Sequence, residues 1–159
     1  MEEIVQEIIR RLLKRMNSSY FCSAADCSFL FDEQTFVKHE NILVKDVDVV
    51  LLEDIMSHKS TEWVKWILKS FDFPCHLSLQ LSFDNLNLLP KNFLRTMPLS
   101  LYTIDGQRLV FSKYKIATYQ EVALWTENDC LVLNYNQSLT DFAKDKISQN
   151  KIKVYRREW

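Results

Sequence analysis

Gly106 is the only glycine in a chain of 159 residues, and it follows Asp105 between two apolar runs. Leu99, Leu101 and Thr103 alternate with Ser100, Tyr102 and Ile104 before it; Leu109, Val110 and Phe111 come after it. Asp-Gly in that setting predicts a β-hairpin, because glycine takes a positive φ without steric cost. The same scarcity restricts function. Glycine-rich phosphate cradles need at least two glycines close together, so neither a Walker-type nor a dinucleotide-type loop can be built from this chain.

Beyond the hairpin the period changes. Thr118 with Glu121 three residues on has capping-box spacing, and Val122, Ala123 and Leu124 follow. Cys130 to Leu133 is an apolar run of buried-strand type. Ser138 or Thr140 opens a helix carrying Phe142, Ala143 and Ile147, and Lys151 to Tyr155 alternates as a last strand. The C-terminal half therefore predicts hairpin, helix, strand, helix, strand. The expected fold class is α/β or α+β, a single domain over 18–159 with a mixed sheet, preceded by an amphipathic helix over 1–17.

That first helix is the most regular element. Ile4, Val5, Ile8, Ile9, Leu12, Leu13 and Met16 fall at helical spacing on one stripe, while Glu2, Glu3, Gln6, Glu7, Arg10, Arg11, Lys14 and Arg15 fill the rest. Acids come first and bases last, as the helix dipole favours. Asn17-Ser18-Ser19 reads as a hinge. From Tyr20 to Asn41 the pattern is ambiguous, with short strands at Phe29–Phe31 and Thr35–Val37 as candidates. Ile42 to Val44 reads as a strand extending toward Val47. Asp48 then caps a helix through Met56, or else the strand continues through Leu52. Ser60 or Thr61 caps a helix that Pro74 ends, His76 to Phe83 alternates as a strand, and Leu86 to Met97 reads as a helix with Pro90 near its start.

The hydrophobic fraction of 47% and charged fraction of 26% are those of a folded domain, and the net charge of −1 supplies no field for nucleic acid or an anionic membrane. Cys22, Cys27, Cys75 and Cys130 form no CxxC pair, which fits free thiols in a reducing cytosol. His39, His58 and His76 have no metal-binding partners at helical spacing, and Cys22 with Cys27 is half a zinc site at most. Cys75 and His76 are adjacent, so on a strand they face opposite sides. No catalytic constellation emerges, and no metal or cofactor is expected. The basic C-terminal end, Lys144 to Arg157 with Tyr155 and Trp159, is interrupted by Asp145 and Glu158 and reads as a solvated face. The first helix has two readings: a domain helix packed on the sheet, or a helix-in-groove docking element.

Four stretches carry a resemblance. Ile4-Val5-Gln6-Glu7-Ile8-Ile9-Arg10-Arg11-Leu12, Gly106-Gln107-Arg108-Leu109-Val110-Phe111, Ala117 to Ala123 and Leu139 to Asp145 are similar to the PduM family of propanediol-utilisation microcompartment proteins. The likeness spans about half the chain; residues 18–75 match nothing in it. It implies a non-catalytic structural or assembly protein, located in a cytoplasmic microcompartment and binding shell proteins or encapsulated enzymes. The first helix also resembles the encapsulation peptides that target cargo into such shells. On that footing Ile4, Val5, Ile8, Ile9, Leu12 and Leu13 are the expected partner-binding residues. The alternative is an α/β enzyme or cofactor-binding protein of the same pathway, with a pocket where helix N-termini meet strand ends.

Overall fold

The computed structural model describes residues 2–91 and 93–158; Met1, where the sequence expectation begins its first helix, Asn92 and Trp159 lie outside them. The chain divides into two compact units, one up to Gln80 and one from Leu81.

The first unit opens with α1 (Glu2–Arg15) and passes through Asn17, at φ 64°, into β1 (Ser19–Ser23). A left-handed residue just past a helix end is the usual way to turn the chain off its axis. After α2 (Gln34–Lys38) come β2 (Asn41–Val47), α3 (Val49–Met56), α4 (Glu62–Lys69) and β3 (His76–Leu81). The strand order is β1-β2-β3, with β1 and β2 parallel and Ser19 opposite Asn41. Asp48 accepts a hydrogen bond from Leu51 N–H at 2.8 Å, and Thr61 accepts one from Val64 N–H at 3.3 Å. Each cap satisfies a backbone donor that the helix leaves without a partner. So Asp48 starts a helix, and the strand does not run on to Leu52.

Three sequence expectations fail in this unit. Ser19 belongs to a strand rather than a hinge, and Tyr20 to Ser23 continue it. Thr35 to Val37 lie in α2, not in a strand. Tertiary packing overrides their β-branched preference: Phe36 is fully buried, with its ring 4.7 Å from Trp66 and 5.3 Å from Phe73. Phe29 and Phe31 form no strand either. They are loop residues whose rings join the same aromatic cluster, Phe29 stacking on Trp63 at 4.7 Å.

The second unit contains α5 (Phe93–Thr96), β4 (Ser100–Tyr102), β5 (Arg108–Phe111), β6 (Ile116–Ala117), α6 (Tyr119–Val122), β7 (Asp129–Leu133), β8 (Ser138–Leu139), α7 (Asp141–Gln149) and β9 (Lys153–Arg156). The single helix expected over Leu86–Met97 is instead a 3-10 turn at Leu86–Leu88 and the short α5, with Pro90 between them. The predicted hairpin is present: β4 and β5 are antiparallel, Tyr102 faces Arg108, and Gly106 has φ +81°. In the order β4-β5-β7-β9 the remaining pairs are parallel, so the sheet is mixed and the class is α/β. Every residue of β7 is buried, as befits a strand flanked on both edges by parallel neighbours. Val110, Val122, Leu131, Leu133, Ala143, Ile147 and Ile152 pack into one core, and Thr140, rather than Ser138, caps α7 by accepting from Ala143 N–H. The sequence pattern did not reveal β6 and β8, a separate parallel pair of two residues each.

Two polar residues hold the loops of this unit. Glu121 accepts from the Ser112 hydroxyl and the Lys113 N–H as well as from Thr118 N–H, so the capping-box carboxylate also fixes the turn after β5. Gln137, 5% exposed, donates to the carbonyls of Ser112 and Tyr114 and accepts from Asn134 N–H.

Candidate docking helix

α1 is amphipathic, and its apolar side is uncovered. Ile4, Val5, Ile8, Ile9, Leu12, Leu13 and Met16 are between 49% and 66% exposed. Other exposed apolar residues, such as Leu30, Leu124 and Phe142, are isolated in sequence, which is ordinary for a protein surface. Seven on one helical stripe form a contiguous patch of the kind that marks an interaction surface. The six residues expected to bind a partner are therefore brought together on one face. The reading of α1 as a helix packed in the domain core is not what the structure shows.

Among the described residues, the bonds that tie the helix to the body fall at its C-terminal end. Arg15 Nη2 donates to the carbonyl of Pro74 at 2.6 Å and of Phe36 at 3.2 Å. Asn17 N–H donates to Glu40 Oε2 at 2.6 Å, and Ser18 O accepts from Asn41 N–H at 3.0 Å. The Ser18 hydroxyl lies within hydrogen-bonding distance of the carbonyls of Arg15 and Lys38. The Asn17–Ser19 segment is thus bonded to the body of its unit. Sequence reading placed Arg15 merely on the polar side of the helix; its carbonyl partners come from residues 21 and 59 positions away and leave no local signal.

On the polar face, Glu7 bonds both Arg10, at 2.9 Å, and Arg11, at 2.8 Å. These hydrogen bonds, Arg10's first, hold its carboxyl below the usual range. The group is solvent-exposed, so the pairs orient side chains more than they stabilise the fold.

The alternative site is an open groove of about 760 Å³ in the second unit, lined by residues 96–100 and 108–113 and by Trp125. Among the described residues its charged ones are Arg108 and Lys113, and Arg108 Nε is bonded at 2.8 Å to Asp129, whose side chain is 3% exposed. Among the described residues no histidine, cysteine or carboxylate belongs to its lining, and none of them opens a helix. Among the described residues no group of three or more His, Cys, Asp or Glu is placed to hold a metal ion, and no helix is long and apolar enough to cross a membrane.

The cysteines are free thiols: Cys27 is exposed, Cys130 is buried, and Cys22 and Cys75 are intermediate. Burial pushes the Cys22 thiol up to about 12 and raises Cys75 and Cys130 as well. A raised pKa keeps a thiol protonated, so the nucleophilic thiolate forms only as pH climbs. Iodoacetamide at mildly alkaline pH should therefore label Cys27 first, and labelling of Cys22 should increase steeply with pH. Peptide mass mapping over time reads this directly; Cys22 reacting as fast as Cys27 at the lowest pH would contradict it.

Fold and site together define an α/β protein that presents an uncovered amphipathic helix. Comparison with known proteins places it more closely: residues 3–153 match the model of the PDU-like family, described as "Putative propanediol utilisation", and the chain belongs to that family. No curated protein and no solved structure matches it.

Proposed function

We propose that this protein is a non-catalytic assembly component of a bacterial microcompartment for propanediol utilisation, of the PduM type, and that α1 docks it onto shell proteins or encapsulated enzymes. One observation supports the reading above all: a folded chain that leaves Ile4, Val5, Ile8, Ile9, Leu12 and Leu13 about half exposed on a single helix face. Burying the remainder of six such side chains is worth about 1 kcal/mol each before the costs of association, enough to drive helix-in-groove binding. Membership of a propanediol-utilisation family supplies the setting. The test is deletion of residues 2–14, which leaves Arg15 and its contacts in place. The shortened protein should stay folded by circular dichroism and disappear from the purified compartment fraction. Retention at the full-length level would refute docking through α1.

A further inference from the structure

We propose that the groove beside the β4–β5 hairpin binds a small organic anion, a phosphate or carboxylate group on an apolar body, with Arg108 and Lys113 holding the anionic end. This site belongs to the second unit and does not depend on docking through α1. Shape, pre-orientation and charge point to it.

The shape follows from the pairing of the hairpin. Among the described residues the register between β4 and β5 is Tyr102 opposite Arg108, so no lining residue of one arm pairs with a lining residue of the other. The arms thus border a groove of about 760 Å³ instead of a closed ladder. Small-molecule sites usually span roughly 300–1,000 Å³ and are mostly apolar, with a few polar groups that fix orientation. Leu99, Val110, Phe111 and Trp125 supply the apolar surface here.

Arg108 is held ready for an oxyanion. Its Nε donates to Asp129 Oδ1 at 2.8 Å, and Asp129 Oδ2 accepts from Thr126 N–H at 2.8 Å. The Asp129 side chain is buried and that of Arg108 is 47% exposed, so a fixed carboxylate pins one edge of a guanidinium that reaches the surface. Arg108 Nη1 and Nη2 have no partner among the described residues. A guanidinium already held in place gives up little freedom on binding, and its two terminal nitrogens match the paired oxygens of a carboxylate or phosphate.

Charge selects the sign of the ligand. Lys113 is exposed, and its ammonium makes no ion pair among the described residues. The carboxylates bonded to the lining are engaged: Asp129 by Arg108 and Thr126, and Glu121 by Ser112, Lys113 N–H and Thr118 N–H. The other polar side chains of the described lining are hydroxyls and the Trp125 indole, all able to donate hydrogen bonds. A cationic ligand would meet no free carboxylate here. An anionic one meets the open end of Arg108 and the unpaired Lys113.

The experiment titrates the full chain with phenyl phosphate, benzoate and benzylamine, which share an apolar ring and differ in the charged end, and follows backbone amide shifts by NMR. Either anion or both should shift the amides of residues 108–113 saturably, and added salt should weaken the effect. Benzylamine should shift none of them. Binding of phenyl phosphate alone assigns the ligand to the phosphate esters, and binding of benzoate alone to the carboxylates. Lys113→Glu should weaken binding about tenfold or more, since an unpaired cation becomes a like charge facing the ligand. The melting temperature should not change, because that side chain is exposed. Arg108→Lys keeps a cation beside Asp129 but removes the fork, and should also weaken binding about tenfold. Should that variant loosen the hairpin, Lys113→Glu alone decides. No saturable shift of these amides with either anion at millimolar concentration, an equal response to benzylamine, or binding that Lys113→Glu leaves unchanged would overturn the proposal.

Discussion

Replacing Ile4, Ile8 and Leu12 together with glutamate should leave the melting temperature of the protein nearly unchanged and abolish its association with the microcompartment. The structural reason for the first half is exposure: these side chains are 66%, 52% and 53% accessible, so the domain loses almost no buried apolar surface. Glutamate is a good helix former, and like charges four residues apart cost only about 0.2–0.5 kcal/mol per pair. The reason for the second half is desolvation. A helix-binding groove that accepts isoleucine and leucine offers no partner for a carboxylate, and an unpaired buried charge is strongly disfavoured. Calorimetry and co-sedimentation with purified compartments measure the two halves. A large fall in melting temperature would return α1 to the core. Full retention in the compartment fraction would remove the stripe from the function.

The opposite behaviour is expected at Leu131. This residue is fully buried at the centre of β7, in contact with a core built from β5, α6, α7 and the segment before β9. Leu131→Ala should cost about 2–5 kcal/mol, through lost transfer energy and the cavity left behind. That is a large fraction of the roughly 5–15 kcal/mol that holds a typical domain together. Leu12→Ala, chemically the same change on an exposed face, should fall within about 0.5 kcal/mol of the wild type. Urea unfolding of the two variants makes the comparison. Equal costs would mean that α1 is covered in the folded protein.

What the sequence disclosed divides along physical lines. Asp48, Thr61, Thr140 and the Thr118–Glu121 pair are local devices, each acting within three or four residues, so spacing pointed to them, although Ser60 and Ser138 competed as caps and a continuing strand competed with Asp48 until the structure decided. Asp105-Gly106 belongs with them, since one residue's positive φ determines the turn. Other features depend on distant partners. Ser19 to Ser23 becomes a strand because β2, some twenty residues later, supplies its hydrogen-bonding ladder. Phe36 sits on a helix because Trp66 and Phe73 close around it. Two-residue strands such as β6 and β8 are too short to show any period. The candidate site was half legible. Spacing identified the apolar stripe of α1, but nothing in the spacing says whether a stripe is buried or bare; the exposure of its side chains settles that, while the contacts of Arg15, Asn17 and Ser18 fix the helix to the body.

Those contacts bear on how a docked molecule would be held. Encapsulation-type helices on long linkers leave their load free to swing, so the linker sets only an average distance. Here no slack separates helix from body, because the bonds of Arg15 and Asn17 begin where the stripe ends. A 14-residue helix measures about 20 Å at 1.5 Å per residue. Gripped along its stripe, α1 would act as a stiff strut, giving the domain behind it one bearing and one stand-off from whatever surface holds the helix. Many copies on a repeating wall would then stand in register with it, their β-sheet domains forming a second ordered layer rather than a loosely tethered crowd.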